Sequence, residues 1–350
     1  MAVRVAAILF AVVAGWVYKS FMEPPKAKLC GSHNGPPITS PRIQLRDGRH
    51  LAYKESGVPK ERAKYKVIHV HGFDSCKEST LNTSQELVEE LGIYFLSFDR
   101  AGYGESDPHP KRSVKSEAMD IQELADQLQI GPKFYLVGVS MGAYPVWSCL
   151  NYIPHRLSGV ALVVPIVNYW WPSLPANITK EVYGRLLLQD QRTFWIAHHL
   201  PFLFYAWMTQ KWFPSLAALE GHPEIFSKQD REILRMRALT EKMNQFQKMA
   251  RQQGVYESLH RDLMTLFSNW EFNPMKISNP FPNNEGSVHI WQGYEDRFVP
   301  VEIQRCVVEK LPWIHYHENA VGGHFFTWID SWPNMIMKEL LPVQEGAKTT

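Results

Sequence analysis

The chain has 350 residues, 45% of them hydrophobic and 21% charged, with 37 Lys and Arg against 35 Asp and Glu. This is ordinary globular usage, which excludes a disordered chain or a polytopic membrane protein, and the length suits one large α/β domain carrying an insertion. A net charge of +2 without a long basic block leaves no footprint for nucleic acid, so no nucleic-acid partner is expected.

The first predicted element is an apolar helix from Val5 to Tyr18, flanked by Arg4 and Lys19. Its roughly 21 Å length falls short of a bilayer core. If Arg4 and Lys19 snorkel, the span from Met1 to Met22 approaches the required length, with Trp16 and Tyr18 in the interfacial belt. The competing reading is a cleaved signal peptide, for which only Val12 and Ala14 offer a passable cleavage pair. The run therefore favours a signal anchor over 1–22, with a single-pass protein of the secretory pathway, in the endoplasmic reticulum or beyond; secretion after cleavage is the alternative. Basic residues on both sides leave its orientation open. Residues 23–41 contain five prolines and read as an extended linker. The sequons at Asn82 and Asn177 are within chance expectation.

An antiparallel pair is predicted near Arg42–Leu45 and His50–Glu55. Further strands follow at Lys66–His71, Tyr94–Phe98, Phe134–Val139, Val160–Val167, Val288–Gln292 and Ile314–His317, interleaved with helices at Ser84–Leu91, Val114–Leu128 and Pro300–Leu311. Continuous apolar runs alternating with helices predict a mainly parallel sheet covered on both faces. The alternation stops over 168–282, where Trp, Phe, Leu and Met carry helical spacing, so this stretch is expected to form a helical cap. The core is expected in two parts, 42–167 and 283–341, with a tail at 342–350. Any single cap aromatic is best read as packing, but an aromatic-rich cap as a whole favours an apolar substrate.

The chemistry is signalled first by Gly138-Val139-Ser140-Met141-Gly142, placed between a predicted strand and a predicted helix. A serine on a strained turn projects its hydroxyl above the sheet, and side chains at the two flanking positions would collide there, which is why they are glycine. An ordinary tight turn with a surface serine is the bland alternative.

With this motif the chain resembles the α/β-hydrolase superfamily, over roughly Ile43 to Leu341. The resemblance is carried also by His71-Gly72-Phe73 after the third strand and by Asp99-Arg100-Ala101-Gly102-Tyr103-Gly104-Glu105-Ser106 after the fourth, with acid and histidine segments further on. The apolar amino-terminal segment and Phe73–Glu78 also look like uncharacterised plant members. The resemblance implies an α/β-hydrolase fold with an eight-stranded type of sheet and a catalytic triad. Its acid matches Asp296 in Gly293-Tyr294-Glu295-Asp296, with Glu295 as the fallback. Its base is His324 in Gly322-Gly323-His324, in the chain order that requires acid and histidine downstream of the serine. The rival His71 precedes the serine and matches a structural position. By analogy the oxyanion donors are the backbone N–H groups of Phe73 and Met141.

The triad implies hydrolysis of a carboxylic ester through an acyl-enzyme on Ser140. A slowly turning-over receptor on the same fold and an acyltransferase are the alternatives. A His-x4-Asp pattern at His69–Asp74 lies across a strand end and reads as chance. Gly102-Tyr103-Gly104 lacks the third glycine of a dinucleotide fingerprint and the Lys-Ser/Thr of a P-loop, so it implies a turn and no cofactor. No zinc-like spacing is present, so no metal is implied; Cys30, Cys76, Cys149 and Cys306 show no zinc or thioredoxin-like spacing either, and read as buried thiols, with one or two disulfides as the alternative that their even number leaves open.

Overall fold

A computed structural model describes residues 2–329 and 331–342. Beyond Pro342 the expected tail lies outside the described residues. Eight strands form one sheet in the order β1-β2-β4-β3-β5-β6-β7-β8. β1 (Arg42–Gln44) and β2 (His50–Gly57) pair antiparallel, and β2 lies antiparallel to β4 (Ile93–Phe98). All later neighbours run parallel: β3 (Tyr65–Val70), β5 (Phe134–Val139), β6 (Leu157–Val163), β7 (Val288–Gly293) and β8 (Ile314–Asn319).

β4 and β7 are buried along their whole length, which is why they read as unbroken apolar runs without alternation. Helices cover both faces. In Val114–Gln127, Val114, Ala118, Ile121, Leu124 and Ala125 form a buried stripe at helical spacing. Ser113 starts that helix by accepting from the Ser116 N–H in a capping box. Each large apolar side chain so buried contributes roughly 1.5–3 kcal/mol.

One strand differs from expectation. β6 begins at Leu157 and stops at Val163, short of Val167. Val164 takes φ +43°, a conformation costly for a β-branched residue, and Pro165 has no N–H for the ladder.

The chain leaves β3 toward β4 on one side, whereas β5 lies on the other side of β3. This reversal opens a crevice at the carboxyl ends of β3 and β5, where open α/β sheets place their ligands. Between β6 and β7 the described residues form helices and turns only, including Ala176–Arg185, Leu188–His199, Phe204–Thr209, Lys228–Leu234, Arg237–Ala250 and Arg261–Phe267.

This helical layer is fastened to the sheet by a buried ionic cluster. Asp262 accepts two hydrogen bonds from Arg100, both 2.6 Å, and further ones from Arg112 (2.8 Å), Tyr103 (2.7 Å) and Tyr144 (2.7 Å). Burial pushes the Asp262 carboxyl up, but the two guanidinium groups outweigh it and hold it at about 2. A second buried pair, Lys77 with Asp99 at 2.8 Å, anchors the loop after β4. There Gly104 has φ +50°, and a Cβ would fall 2.1 Å from Asp99 Oδ2.

At the amino end, the helix Ala2–Val17 continues into a wider turn at Tyr18–Met22. Over Arg4–Met22 its mean hydropathy is 1.8, and it has the length and composition of a membrane anchor or a signal sequence. The proline-rich stretch that follows is stitched to the globular part. Lys28 N–H donates to Gln253 O and Cys30 N–H to Gln253 Oε1, while Thr39 and Ser40 give Glu105 four hydrogen bonds of 2.6–3.1 Å. All four cysteines are free and buried.

Candidate active site

The site is assembled from the carboxyl ends of β3, β5, β7 and β8. Ser140 follows β5 directly and takes φ +53°, opening a single helical turn that leads into the helix Ala143–Tyr152. That helix passes so close to the sheet that a Cβ on Gly142 would lie 2.2 Å from Val70 O. One on Gly138 would lie 2.5 Å from Gly142 O. The glycines at both flanking positions are thus required by backbone contact, and the strain at Ser140 aims its hydroxyl into the crevice.

His324 and Asp296 arrive on two loops that cross. Tyr294 N–H donates to Asn319 O and Glu295 N–H to Gly322 O, both at 2.9 Å, and a Cβ on Gly293 would strike Gly322 O at 2.4 Å. Asp296 is buried and Glu295 is exposed. Asp296 Oδ1 accepts from the N–H groups of Phe298 and Val299 at 2.9 Å, and its Oδ2 lies 2.8 Å from His324 Nδ1. A carboxylate only accepts, so Nδ1 carries the proton and Nε2 presents its lone pair to Ser140 Oγ, 3.0 Å away. The three side chains singled out in the sequence therefore form one continuous hydrogen-bonded chain. Burial alone would depress the His324 pKa, but the charge and hydrogen bond of Asp296, reinforced by Asp230, raise it above the ordinary imidazole value.

The loop after β3 runs beside the serine: a Cβ on Gly72 would lie 3.3 Å from Ser140 Cβ. Phe73 belongs to this loop, and Met141 sits in the first helical turn, where N–H groups have no intrahelical partner. His71 is buried, and its Nδ1–H donates to Gly72 O at 2.8 Å while Nε2 accepts from Arg100 N–H at 3.0 Å. Burial and the neighbouring Arg100 push its pKa well down, so it is a neutral brace for the loop. His69 lies buried in β3, and Asp74 is paired with Arg251, so the His-x4-Asp pattern does not form a pair.

The helical layer supplies features that the sequence reading missed. Gln229 Oε1 accepts from Gly323 N–H at 2.9 Å, and Asp230 Oδ1 accepts from Phe325 N–H at 2.8 Å, so both residues flanking His324 are gripped by one helix end. The same helix is started by a capping box between Ser227 and Asp230. Arg251 reaches both carboxylate oxygens of Asp74, which stands next to Phe73 with φ +53°. The capping box has a sequence signature; its engagement of the histidine loop has none.

A cavity of about 540 Å³ opens over Ser140 and His324. Leu186, Phe194, Leu216, Leu219, Ile225 and Phe246 give it an apolar wall. Asp190 also lines it, a carboxyl that burial pushes up to about 6. Phe298 and Phe325 pack against the His324 ring, with centroids 4.7 and 5.5 Å away. Among the described residues no group of three or more His, Cys, Asp or Glu is placed to hold a metal ion.

Solved structures share this architecture. An esterase from Exiguobacterium antarcticum aligns with a TM-score of 0.58 at 19% identity, covering 86% of this chain and 99% of that one. A thermophilic esterase from Thermogutta terrifontis gives 0.53 at 18%, covering 82% and 92%. A bromoperoxidase from Bacillus anthracis gives 0.58 at 21%, covering 82% and 93%. At such identities these likenesses speak for the fold alone. A search of curated proteins returns no match. Residues 67–331 match the family model described as the alpha/beta hydrolase family, which spans the sheet from β3 onward together with all the elements of the site. The chain belongs to the alpha/beta hydrolase family.

Proposed function

We propose that the protein is a serine hydrolase that cleaves carboxylic esters with an apolar acyl part through an acyl-enzyme on Ser140. The observation that carries this is the relay Ser140–His324–Asp296, with spacings of 3.0 and 2.8 Å, at an apolar cavity. His324 Nε2 takes the hydroxyl proton as Ser140 Oγ bonds to the ester carbonyl carbon. The carbonyl electron pair moves onto oxygen, where the N–H groups of Phe73 and Met141 serve as donors. His324 then protonates the departing alcohol as the C–O bond breaks. A water, deprotonated by His324, attacks the acyl-enzyme and releases the acid, and the proton returns to Ser140. Asp296 fixes the tautomer and stabilises the imidazolium in each half.

The neutral imidazole is the working base, and its pKa lies above the usual value. Activity should therefore fall as the pH drops through that raised pKa. A fluorophosphonate probe tests the assignment: the wild type should be labelled and Ser140→Ala should not, and equal labelling of both would overturn it. Across esters of graded chain length, kcat/KM should rise with acyl length until the cavity is filled. The amino-terminal helix fits a retained single-pass anchor in the secretory pathway.

A further inference from the structure

We infer that the edge of the helical layer formed by Phe202, Trp212 and Phe213 seats in the interfacial region of a lipid bilayer, beside the apolar amino-terminal helix. The inference rests on that helix being retained as an anchor.

Three large apolar side chains stand out of this edge. Trp212 is 82% exposed, Phe202 67% and Phe213 56%, a degree of exposure that single core-facing aromatics do not have. The loop that carries two of them is built. Gln210 Oε1 accepts from Trp212 N–H at 2.7 Å and from Phe213 N–H at 2.9 Å, and Gln210 Nε2 donates to Phe213 O at 2.7 Å. The backbone is thereby satisfied by one side chain, and the rings are turned outward with Lys211 exposed next to them. Aromatic rings beside a lysine are the composition that favours the headgroup boundary.

The occupant is identified by the anchor. The turn Tyr18–Met22, where the apolar helix ends, packs against Phe204–Thr209, the helix lying between Phe202 and Trp212. Tyr18, Phe21 and Trp16 are themselves exposed there. The tether enforces this placement independently. Lys28 and Cys30 are bonded to Gln253 in the same helical layer, and only five residues lie between Met22 and Lys28. Such a stretch spans at most about 20 Å when fully extended. A helix in the bilayer therefore holds this layer, and not the far ends of the strands, against the membrane.

The test uses the full chain in phosphatidylcholine vesicles, with an environment-sensitive fluorophore on Phe213→Cys, on Leu9→Cys in the apolar helix, or on Glu61→Cys in the loop entering β3. The four native cysteines are buried, so labelling goes to the introduced one. Each labelled protein is first checked for reaction with the fluorophosphonate probe, which reports an intact fold. The expected result is a blue shift and loss of emission with nitroxide-bearing lipids at positions 213 and 9, with position 61 unaffected. Quenching at position 9 but not at 213 would overturn the docking while leaving the anchor in place. Quenching at neither overturns the anchor, and the docking with it.

Discussion

The two halves of the candidate site are held by different means. The serine turn is fixed by backbone against backbone, since Gly138 and Gly142 lie where any Cβ would overlap Gly142 O or Val70 O. The histidine loop is fixed by side chains from another layer, Gln229 and Asp230. A steric constraint acts on the identity of the constrained residues themselves and leaves a local motif. A side-chain grip distributes the requirement across the chain, here between positions 94 and 95 residues apart, and leaves none.

The contrast can be broken or sharpened by substitution. The largest expected effect is on turnover: Ser140→Ala should lower kcat by about a million-fold with the thermal midpoint little changed, measured by ester hydrolysis alongside calorimetry. Next is Asp262→Asn, which strips the counter-charge from buried Arg100 and leaves Arg112 with Glu117 alone, and it should cost about 3–5 kcal/mol in denaturant unfolding. A loss below about 1 kcal/mol would show that the helical layer is fastened by its apolar packing instead.

Two glycine changes then separate the two kinds of support. Gly142→Ala pushes a Cβ into strand backbone and should cost about 1–3 kcal/mol of stability together with activity. Gly323→Ala would set a Cβ 2.2–2.4 Å from the Ser227 hydroxyl and the Asp230 carboxylate, both buried in the capping box, so it should lower kcat by displacing the histidine loop and cost less stability than Gly142→Ala, since it meets side chains and not strand backbone. Equal stability losses in the two variants would erase the distinction.

Asp230→Asn can keep an acceptor for Phe325 N–H, at the expense of the one for Ser227 N–H, and removes a negative charge that raises the His324 pKa. The acid limb of the kcat/KM profile should therefore move to lower pH, with the alkaline plateau little altered. The smallest effect is expected from Arg251→Ala. Its side chain is 36% exposed, which screens the pair in part, but Asp74 is buried and is left without its cation, so stability should fall by about 1 kcal/mol. Loosening Asp74 should still lower kcat by a few-fold through the adjacent Phe73 N–H, with KM less affected.

Much of the sheet was legible because fully buried parallel strands leave unbroken apolar runs, as in Tyr94–Phe98. The serine turn was legible for the steric reason above, and His324 because its place after the last strand is dictated by chain order. Asp296 was legible only through resemblance; its burial and the exposure of Glu295 depend on how two loops cross. The Asp262 cluster left no trace, since its arginines lie 162 and 150 residues away and no periodicity links them. The reach of β6 was overestimated because Val164 and Val167 look like strand residues, while the positive φ at Val164 is a property of the turn beside the site.

The stitching of the stretch before β1 also sets where the folded body begins. Composition would place that start at Arg42, yet a chain shortened to that point loses Thr39 and Ser40, leaving Glu105 without the four hydrogen bonds that, against burial, hold its carboxyl low. Gln253, fully buried, would lose its partner at Cys30 as well. A soluble form freed of the apolar helix should therefore start near Lys26, keeping this strap, and one trimmed to Arg42 should be the less stable enzyme despite having every residue of the relay.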